Sequence, residues 1–214
     1  MELLSINVSL PVTIEQAGKI FSTAIFKKQV AGPVFVHKMN LAGDRQADLK
    51  NHGGEDKAVY AFSFDHYAYW SSVLNKPDMP FGQFGENLTI AGLDEASLYI
   101  GDHLKIGNCL LEISQPRIPC FKLGLIMGTP DMPRLFIENG ATGIYFRVLQ
   151  EGEIKAGDSV EIVSRGKHQL PVKTLFTSYF DPNLRNPGVL ETALDIPDLA
   201  AEWKEKILKK LAIE

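Results

Sequence analysis

The segment with the most chemical promise is Gln115-Pro116-Arg117-Ile118-Pro119-Cys120-Phe121-Lys122-Leu123. Two prolines fix the backbone on either side of Arg117, so the thiol that follows is held in place. Arg117 and Lys122 flank Cys120, and nearby cations favour a thiolate over a thiol. A thiolate serves as a nucleophile or as a ligand for a soft metal. A lone Cys can equally be a small buried hydrophobe. That second description suits Cys109, which starts a strand beside the turn Gly107-Asn108 and has no such neighbours.

Polar groups and glycines concentrate in Leu41-Ala42-Gly43-Asp44-Arg45-Gln46-Ala47-Asp48 and in Asn51-His52-Gly53-Gly54-Glu55-Asp56-Lys57-Ala58-Val59. The adjacent Gly53 and Gly54 let backbone N–H groups approach an anion closely. The spacing is neither a Walker loop nor a His-Glu-x-x-His zinc motif. A solvated loop is the alternative. In Phe81-Gly82-Gln83-Phe84-Gly85-Glu86-Asn87-Leu88-Thr89-Ile90, a tight glycine loop enters a strand, and Asn87 and Thr89 offer hydrogen bonds to a heterocycle. Lys27, Lys28, Lys38 and Arg147 are single cations in strand-like runs. A strand Lys usually points to solvent, but Arg147 lies between apolar neighbours and is expected to point inward.

Many short strands with turns between them must position these residues. Strand-like runs cover Ser5–Val12, Phe21–Ala31, Val34–Met39, Ala58–Phe64, Leu98–Ile106, Leu110–Gln115, Gly143–Leu149 and Ser159–Val163. This pattern predicts a barrel or sandwich. Gly107-Asn108 predicts a tight hairpin. Ile100-Gly101-Asp102-His103-Leu104-Lys105-Ile106 echoes Ala156-Gly157-Asp158-Ser159-Val160-Glu161-Ile162, which suggests one turn-plus-strand unit used twice. Two helices interrupt the strands. Phe64–Leu74 places Tyr67, Trp70 and Leu74 on one face, with Ser63 as a candidate N-cap. Pro130–Asn139 ends at Gly140.

After Arg165 the texture becomes helical. The expected pieces are Val172–Phe180, Gly188–Leu194 behind the cap Asn186-Pro187, and a helix from Pro197 to about Ala212. Leu199, Trp203, Ile207 and Leu211 mark the apolar face of the last. Two units follow: residues 1–165, mainly β, and residues 166–214, a three-helix tail.

Composition narrows the function. The 214 residues carry 22 Lys and Arg against 26 Asp and Glu, a net charge of −4, which argues against a nucleic-acid surface. Two cysteines cannot form a disulfide scaffold, a zinc finger or a four-cysteine iron–sulfur cluster. No signal peptide and no membrane span are visible, so a cytoplasmic location is expected.

In this order the segments Leu41–Asp48, His52-Gly53-Gly54…Lys57-Ala58-Val59, Phe84-Gly85-Glu86-Asn87-Leu88, Ile100-Gly101-Asp102 and Gln115-Pro116-Arg117…Pro119-Cys120-Phe121-Lys122-Leu123 resemble the MOSC domain. That domain takes its name from the C-terminus of molybdenum-cofactor sulfurases. The whole chain resembles the YiiM-like branch, which adds a three-helix C-terminal domain. The resemblance implies a closed, bent β-barrel like the inserted barrel of pyruvate kinase. It implies that Cys120 ligates molybdenum of the pterin cofactor and that the protein reduces N-hydroxylated compounds, such as N-hydroxylated purine bases. On that mechanism, Arg117, Lys122 and Arg147 are expected to neutralise the cofactor anion or developing charge on the substrate. Asp44, Gln46, Gly53, Gly54, Asn87 and Lys27 would bind the cofactor, and His52 would donate a proton. Electrons would come from a separate flavoprotein, because the chain shows no flavin or iron–sulfur module. Pyridoxal phosphate fits less well, since no Lys stands out as a Schiff-base partner. Two other readings stay open: a persulfide carrier using Cys120, and a non-catalytic docking module using the tail. A homodimer is compatible with each.

Overall fold

The computed structural model describes residues 1–16, 18–48 and 53–212. It is a largely β architecture with helices gathered at the C-terminus. The main sheet is built from β1 (Glu2–Val8), β4 (Lys28–Gln29), β6 (Val59–Ser63), β7 (Leu88–Ala91), β8 (His103–Ile106), β9 (Cys109–Pro116), β10 (Ile144–Gln150) and β12 (Val160–Ser164). Their spatial order is β12-β8-β9-β10-β6-β7-β1-β4. Only the β6–β7 pair is parallel among these ladders. A bridge between Glu2 and Ser159 joins β1 back to the start of β12. Backbone bonds from Leu3 N to Asp158 O (3.0 Å) and from Val160 N to Met1 O (2.9 Å) support it. The sheet therefore curls toward its own far edge. Two smaller pairs stand beside it: β2 (Val12–Gln16) with β3 (Lys19–Thr23), and β5 (Val34–Val36) with β11 (Gly152–Ile154).

The residues explain these choices. β6 is buried along its whole length and reads as a continuous apolar run, as a central strand should. β10 alternates buried and half-buried positions. β9 ends at Pro116, which has no N–H to continue a ladder. Gly107-Asn108 closes the β8–β9 hairpin, with Ile106 opposite Cys109. The echoed units are indeed one device used twice. Asp102 accepts the Tyr99 N–H at 3.0 Å, and Asp158 accepts the Lys155 N–H at 2.8 Å. The strands that follow, β8 and β12, pair with each other.

Several expected elements change shape. The run Phe21–Ala31 is not one strand. Thr23 Oγ1 accepts the Ile25 N–H at 3.2 Å, and the Ile25 carbonyl accepts the Lys27 N–H at 2.8 Å, so the chain bends between β3 and β4. Leu98–Ile106 shortens to β8 because the turn at Gly101-Asp102 interrupts it. Phe64–Leu74 begins as a 3-10 turn and becomes α1 only at Tyr67–Leu74. Ser63 does not cap it, and its hydroxyl is buried without a hydrogen-bond partner. A helix the sequence did not announce, α2 (Phe121–Met127), starts immediately after Cys120. α3 (Met132–Asn139) ends at Gly140 as expected.

The tail comprises α4 (Val172–Phe180), α5 (Pro187–Leu194) and α6 (Ala201–Leu211). Asn186 caps α5 by accepting the Val189 N–H. α6 starts four residues later than expected because Pro197–Ala200 is spent in a turn. The tail does not keep a core of its own. One apolar cluster contains Leu111 and Ile113 of β9 together with Leu175, Phe176, Leu190, Leu199, Trp203 and Ile207 of the tail. A second cluster is mostly aromatic and holds Tyr60, Phe62, Tyr67, Trp70, Phe84 and Phe136 against Leu123 and Met127 of α2.

Glu95 ties the 3-10 turn that leads into α1 to the residue just before β10. It accepts the Gly143 N–H at 2.9 Å and contacts His66 Nε2 at 3.2 Å. That hydrogen bond raises the His66 pKa, and burial opposes it. A raised imidazole pKa stabilises the fold below the unfolded value of about 6.5, and this contribution is lost as pH rises through the folded value. His66→Gln is therefore expected to lose more stability at pH 5 than at pH 9, by under about 1 kcal/mol for this partly exposed pair. Urea melts at both pH values check this, and equal losses would exclude the ion pair as the cause.

Candidate functional site

A cleft opens where β3, the Thr23–Lys27 bend, the Asp44–Asp48 loop and the start of α2 meet. It brings together seven of the residues the sequence singled out: Lys27, Asp44, Gln46, Asn87, Arg117, Cys120 and Lys122. The enclosed part measures about 100 Å³, room for a phosphate-sized group, and a larger ligand would extend outward. Five cations (Lys27, Arg45, Lys57, Arg117 and Lys122) and two carboxylates (Asp44 and Asp48) line it, so the cleft is positive within a chain of net negative charge.

Cys120 stands at the N-terminal boundary of α2 and is half-buried in the cleft wall. Cys109 is buried elsewhere, and desolvation pushes its thiol up to about 12. The two thiols thus occupy opposite settings. Arg117 lies almost wholly buried near Cys120. Its guanidinium sits 4.9 Å from the Tyr60 ring centre and 5.5 Å from that of Phe136. Its Nη1 is buried and has no hydrogen-bond partner among the described residues. Burial works against its charge, while the Tyr60 and Tyr145 hydroxyls and Cys120 favour it, and the balance keeps it a firm cation. Lys122 bonds the Ser22 carbonyl at 3.2 Å, which fastens the β2–β3 hairpin to the cysteine helix.

Other members are occupied with one another. Lys27 Nζ lies 2.5 and 2.6 Å from the two Asp44 oxygens. Burial lowers the Lys27 pKa, although Asp44 opposes the shift. Asp44 also accepts the Ser9 N–H at 2.7 Å and Asn87 Nδ2 at 2.9 Å. Asn87 Oδ1 in turn accepts the Tyr60 N–H at 3.1 Å. Asp44 and Asn87 therefore shape the cleft more than they offer free atoms to it. Gln46 Nε2 donates to the Lys57 carbonyl at 2.9 Å and fixes the loop to the next wall. Glu86, buried in the glycine loop, accepts from Tyr67 OH, Gly82 N, Phe84 N and Thr89 Oγ1, which locks Asn87 beside it.

Arg147, expected to neutralise a bound anion, is not brought to the cleft. It pairs with Asp56 at 2.5 Å and with Glu112, and donates to the Asp198 carbonyl at 3.3 Å. Its partners come from the 3-10 turn, a neighbouring strand and the tail, and are invisible in a linear reading. Gly53 and Gly54 also lie outside the lining, and Gly54 opens the 3-10 turn Glu55–Lys57. His52 lies outside the described residues. Sequence reasoning missed Tyr60 and Tyr145, and it placed Lys57 in a polar segment without assigning it to the site. Tyr60 and Tyr145 are register partners on β6 and β10, with rings 5.2 Å apart. Gly143, at φ +84°, lets β10 approach, since a Cβ there would stand 2.5 Å from Ala61 O and 2.6 Å from Tyr60 Cε2. Among the described residues no helix is long and apolar enough to cross a membrane, and no three His, Cys, Asp or Glu side chains cluster as a metal site.

A curled β-sheet with a half-buried cysteine in a cleft lined mostly by cations defines a small β-rich protein. Known proteins share this architecture. The MOSC domain profile matches residues 48–161. The uncharacterized protein YflK of Bacillus subtilis is 38% identical over 209 residues, 97% of this chain and 93% of that protein. A Gibberella moniliformis protein named Reductase is 37% identical over 151 residues, 69% of this chain but 27% of its own length. The crystal structure of YiiM from Geobacillus stearothermophilus superposes with a TM-score of 0.83 at 36% identity, over 98% of both chains. The chain belongs to the MOSC domain family and is YiiM-like.

Proposed function

We propose that this protein is a reductase of N-hydroxylated compounds that holds a molybdenum cofactor in the Cys120 cleft, within a barrel closed by the Glu2–Ser159 bridge. One observation carries the reading. Arg117 is a nearly fully buried cation beside a thiol, with a buried Nη1 that no described group satisfies. A buried charge without a counter-ion is costly, so the cleft is built for an anionic occupant. The donor set fits that cofactor: a thiolate suits a soft metal, and guanidinium and ammonium groups suit oxo and phosphate oxygens. The Gibberella relative named Reductase adds weight to the redox assignment.

Cys120 would be the protein ligand to the metal. Arg117 and Lys122 would neutralise the oxygens, with Gln46, Asp44, Asn87 and Lys27 holding the walls. Reduction of R–NH–OH to R–NH2 and water consumes two electrons and two protons. When bound, the cofactor would supply the two-electron chemistry. The electrons would come from a separate flavoprotein, and His52 would donate a proton to the departing oxygen. Pyridoxal phosphate is disfavoured, because the buried amines of the cleft are engaged: Lys27 by both Asp44 oxygens, Lys57 by Glu202 and Lys122 by the Ser22 carbonyl.

Protein made in cells that synthesise the cofactor is expected to carry molybdenum and pterin, measured by elemental analysis and pterin fluorescence. Cys120→Ser is expected to retain at least about tenfold less metal. Metal-free wild type, or equal retention by the variant, would sink the assignment. Cyanolysable sulfur on Cys120 of metal-free protein would point to sulfur transfer instead.

A further inference from the structure

The cations of the cleft differ in where their counter-charges come from. Lys27 is neutralised inside the cleft wall by Asp44. Lys57 is neutralised from outside it. Its ammonium pairs with Glu202 of α6, a residue that does not line the cleft. The Lys57 side chain is only 7% exposed, whereas that of Glu202 is 42% exposed. The carboxylate is thus the half of the pair that water can take over if the ammonium is claimed by another anion.

The same short turn is held to the tail a second time. Asp56, next to Lys57, pairs with Arg147, and Arg147 donates to the Asp198 carbonyl just before α6. That second link keeps α6 near the turn when the first is broken. We infer that Lys57 is a further anion-binding residue of the cleft, and that Glu202 is an internal stand-in for the ligand, surrendering Lys57 when an anionic group enters. The inference rests on the reading of the cleft as an anion site. It gives the C-terminal helices a part in the site that their packing alone does not.

Linkage fixes the signs. If the ligand and Glu202 compete for Lys57, removing the competitor tightens ligand binding, and ligand binding loosens the hold on α6 by the same factor. A Glu202 that merely stabilised the fold would give no tightening.

The probe is inorganic pyrophosphate on the purified full chain, followed by titration calorimetry. Glu202→Gln is expected to bind about threefold to fivefold more tightly than wild type, the range of one partly exposed ion pair. Lys57→Gln is expected to bind more weakly. Glu202→Gln in the Lys57→Gln background is expected to change nothing, which isolates the pairwise coupling. Lys206→Gln removes only the neighbouring Lys206–Glu202 contact (3.4 Å) and is expected to bind as wild type does. If Glu202→Gln fails to fold, Glu202→Asp, with its shorter reach, is expected to show a smaller tightening in the same direction. Unchanged or weaker binding by the Glu202 variant, or tightening that persists without Lys57, overturns the inference alone. Wild type that binds no pyrophosphate overturns the anion site itself, and the inference with it.

Discussion

Arg117→Met is expected to fold with a stability within about 1 kcal/mol of wild type, and yet to lose at least about 100-fold in turnover of an N-hydroxylated substrate. The two halves of this result have one cause. Arg117 is buried to 5% exposure and has no carboxylate partner among the described ion pairs. Desolvating an ionised side chain costs several kcal/mol, and stacking over Tyr60 and Phe136 returns about 2 kcal/mol. Met fills the same space against the same rings and removes the desolvation cost. Its backbone carbonyl still accepts from Thr142 Oγ1 at 2.8 Å, so the local anchor survives. On the proposed reading of the cleft, an anionic occupant would lose its buried counter-charge, and removing one preorganised donor from such a site typically costs about 100- to 1,000-fold. Arg117→Lys is not a conservative rescue, because a compact ammonium can neither stack on Tyr60 nor present a planar fork. Urea melts, metal content and turnover check the prediction together. A variant destabilised by more than about 2 kcal/mol, or one with wild-type turnover, would show that Arg117 is a structural residue.

The legible part of this site was the part that is local in sequence. Arg117, Cys120 and Lys122 lie within six residues, with prolines on either side of Arg117, and the cleft contains all three. The glycine loop and the Asp44 loop were legible as polar segments near a ligand. Their inward roles were not, because Asp44 meets Lys27 and Asn87 only after three distant segments converge. Arg147 shows the limit most clearly. Its apolar neighbours suggested an inward side chain, but Phe146 and Val148 face the core and Arg147 occupies the opposite, half-buried face of β10 among its ion-pair partners. Its fate depended on register, since Arg147 stands opposite Glu112 across the β9–β10 ladder. Tyr60 and Tyr145 were invisible for the same reason: an aromatic in a strand reads as core until its partner strand is known. The tail was legible helix by helix from Asn186, the prolines and the apolar spacing. What its apolar face would cover carried no local signal.

That covering face is what Trp203→Ala tests. Trp203 is fully buried on α6, and its Nε1 donates to the Pro116 carbonyl at 3.1 Å. Its ring meets Tyr179 at 5.4 Å and Phe180 at 6.4 Å between centres. Deleting a buried Trp side chain costs about 3–5 kcal/mol, and the stranded Pro116 carbonyl adds to that. Pro116 directly precedes Arg117, so the loss falls on the backbone that carries the site. The same cluster joins the tail to β9, and the Ala200 N–H bonds the Ser114 carbonyl at 3.1 Å. Sheet and tail should therefore unfold together. The chain has two tryptophans, so the variant keeps only Trp70, which sits in the separate aromatic cluster. Its fluorescence reports on that cluster, while far-UV circular dichroism reports strongly on the helices. The two urea transitions are expected to coincide, shifted down together from wild type. Helical signal lost at lower urea than the Trp70 signal would mean that residues 166–214 form a separately melting unit, and that Trp203 joins two domains where the shared core argues for one.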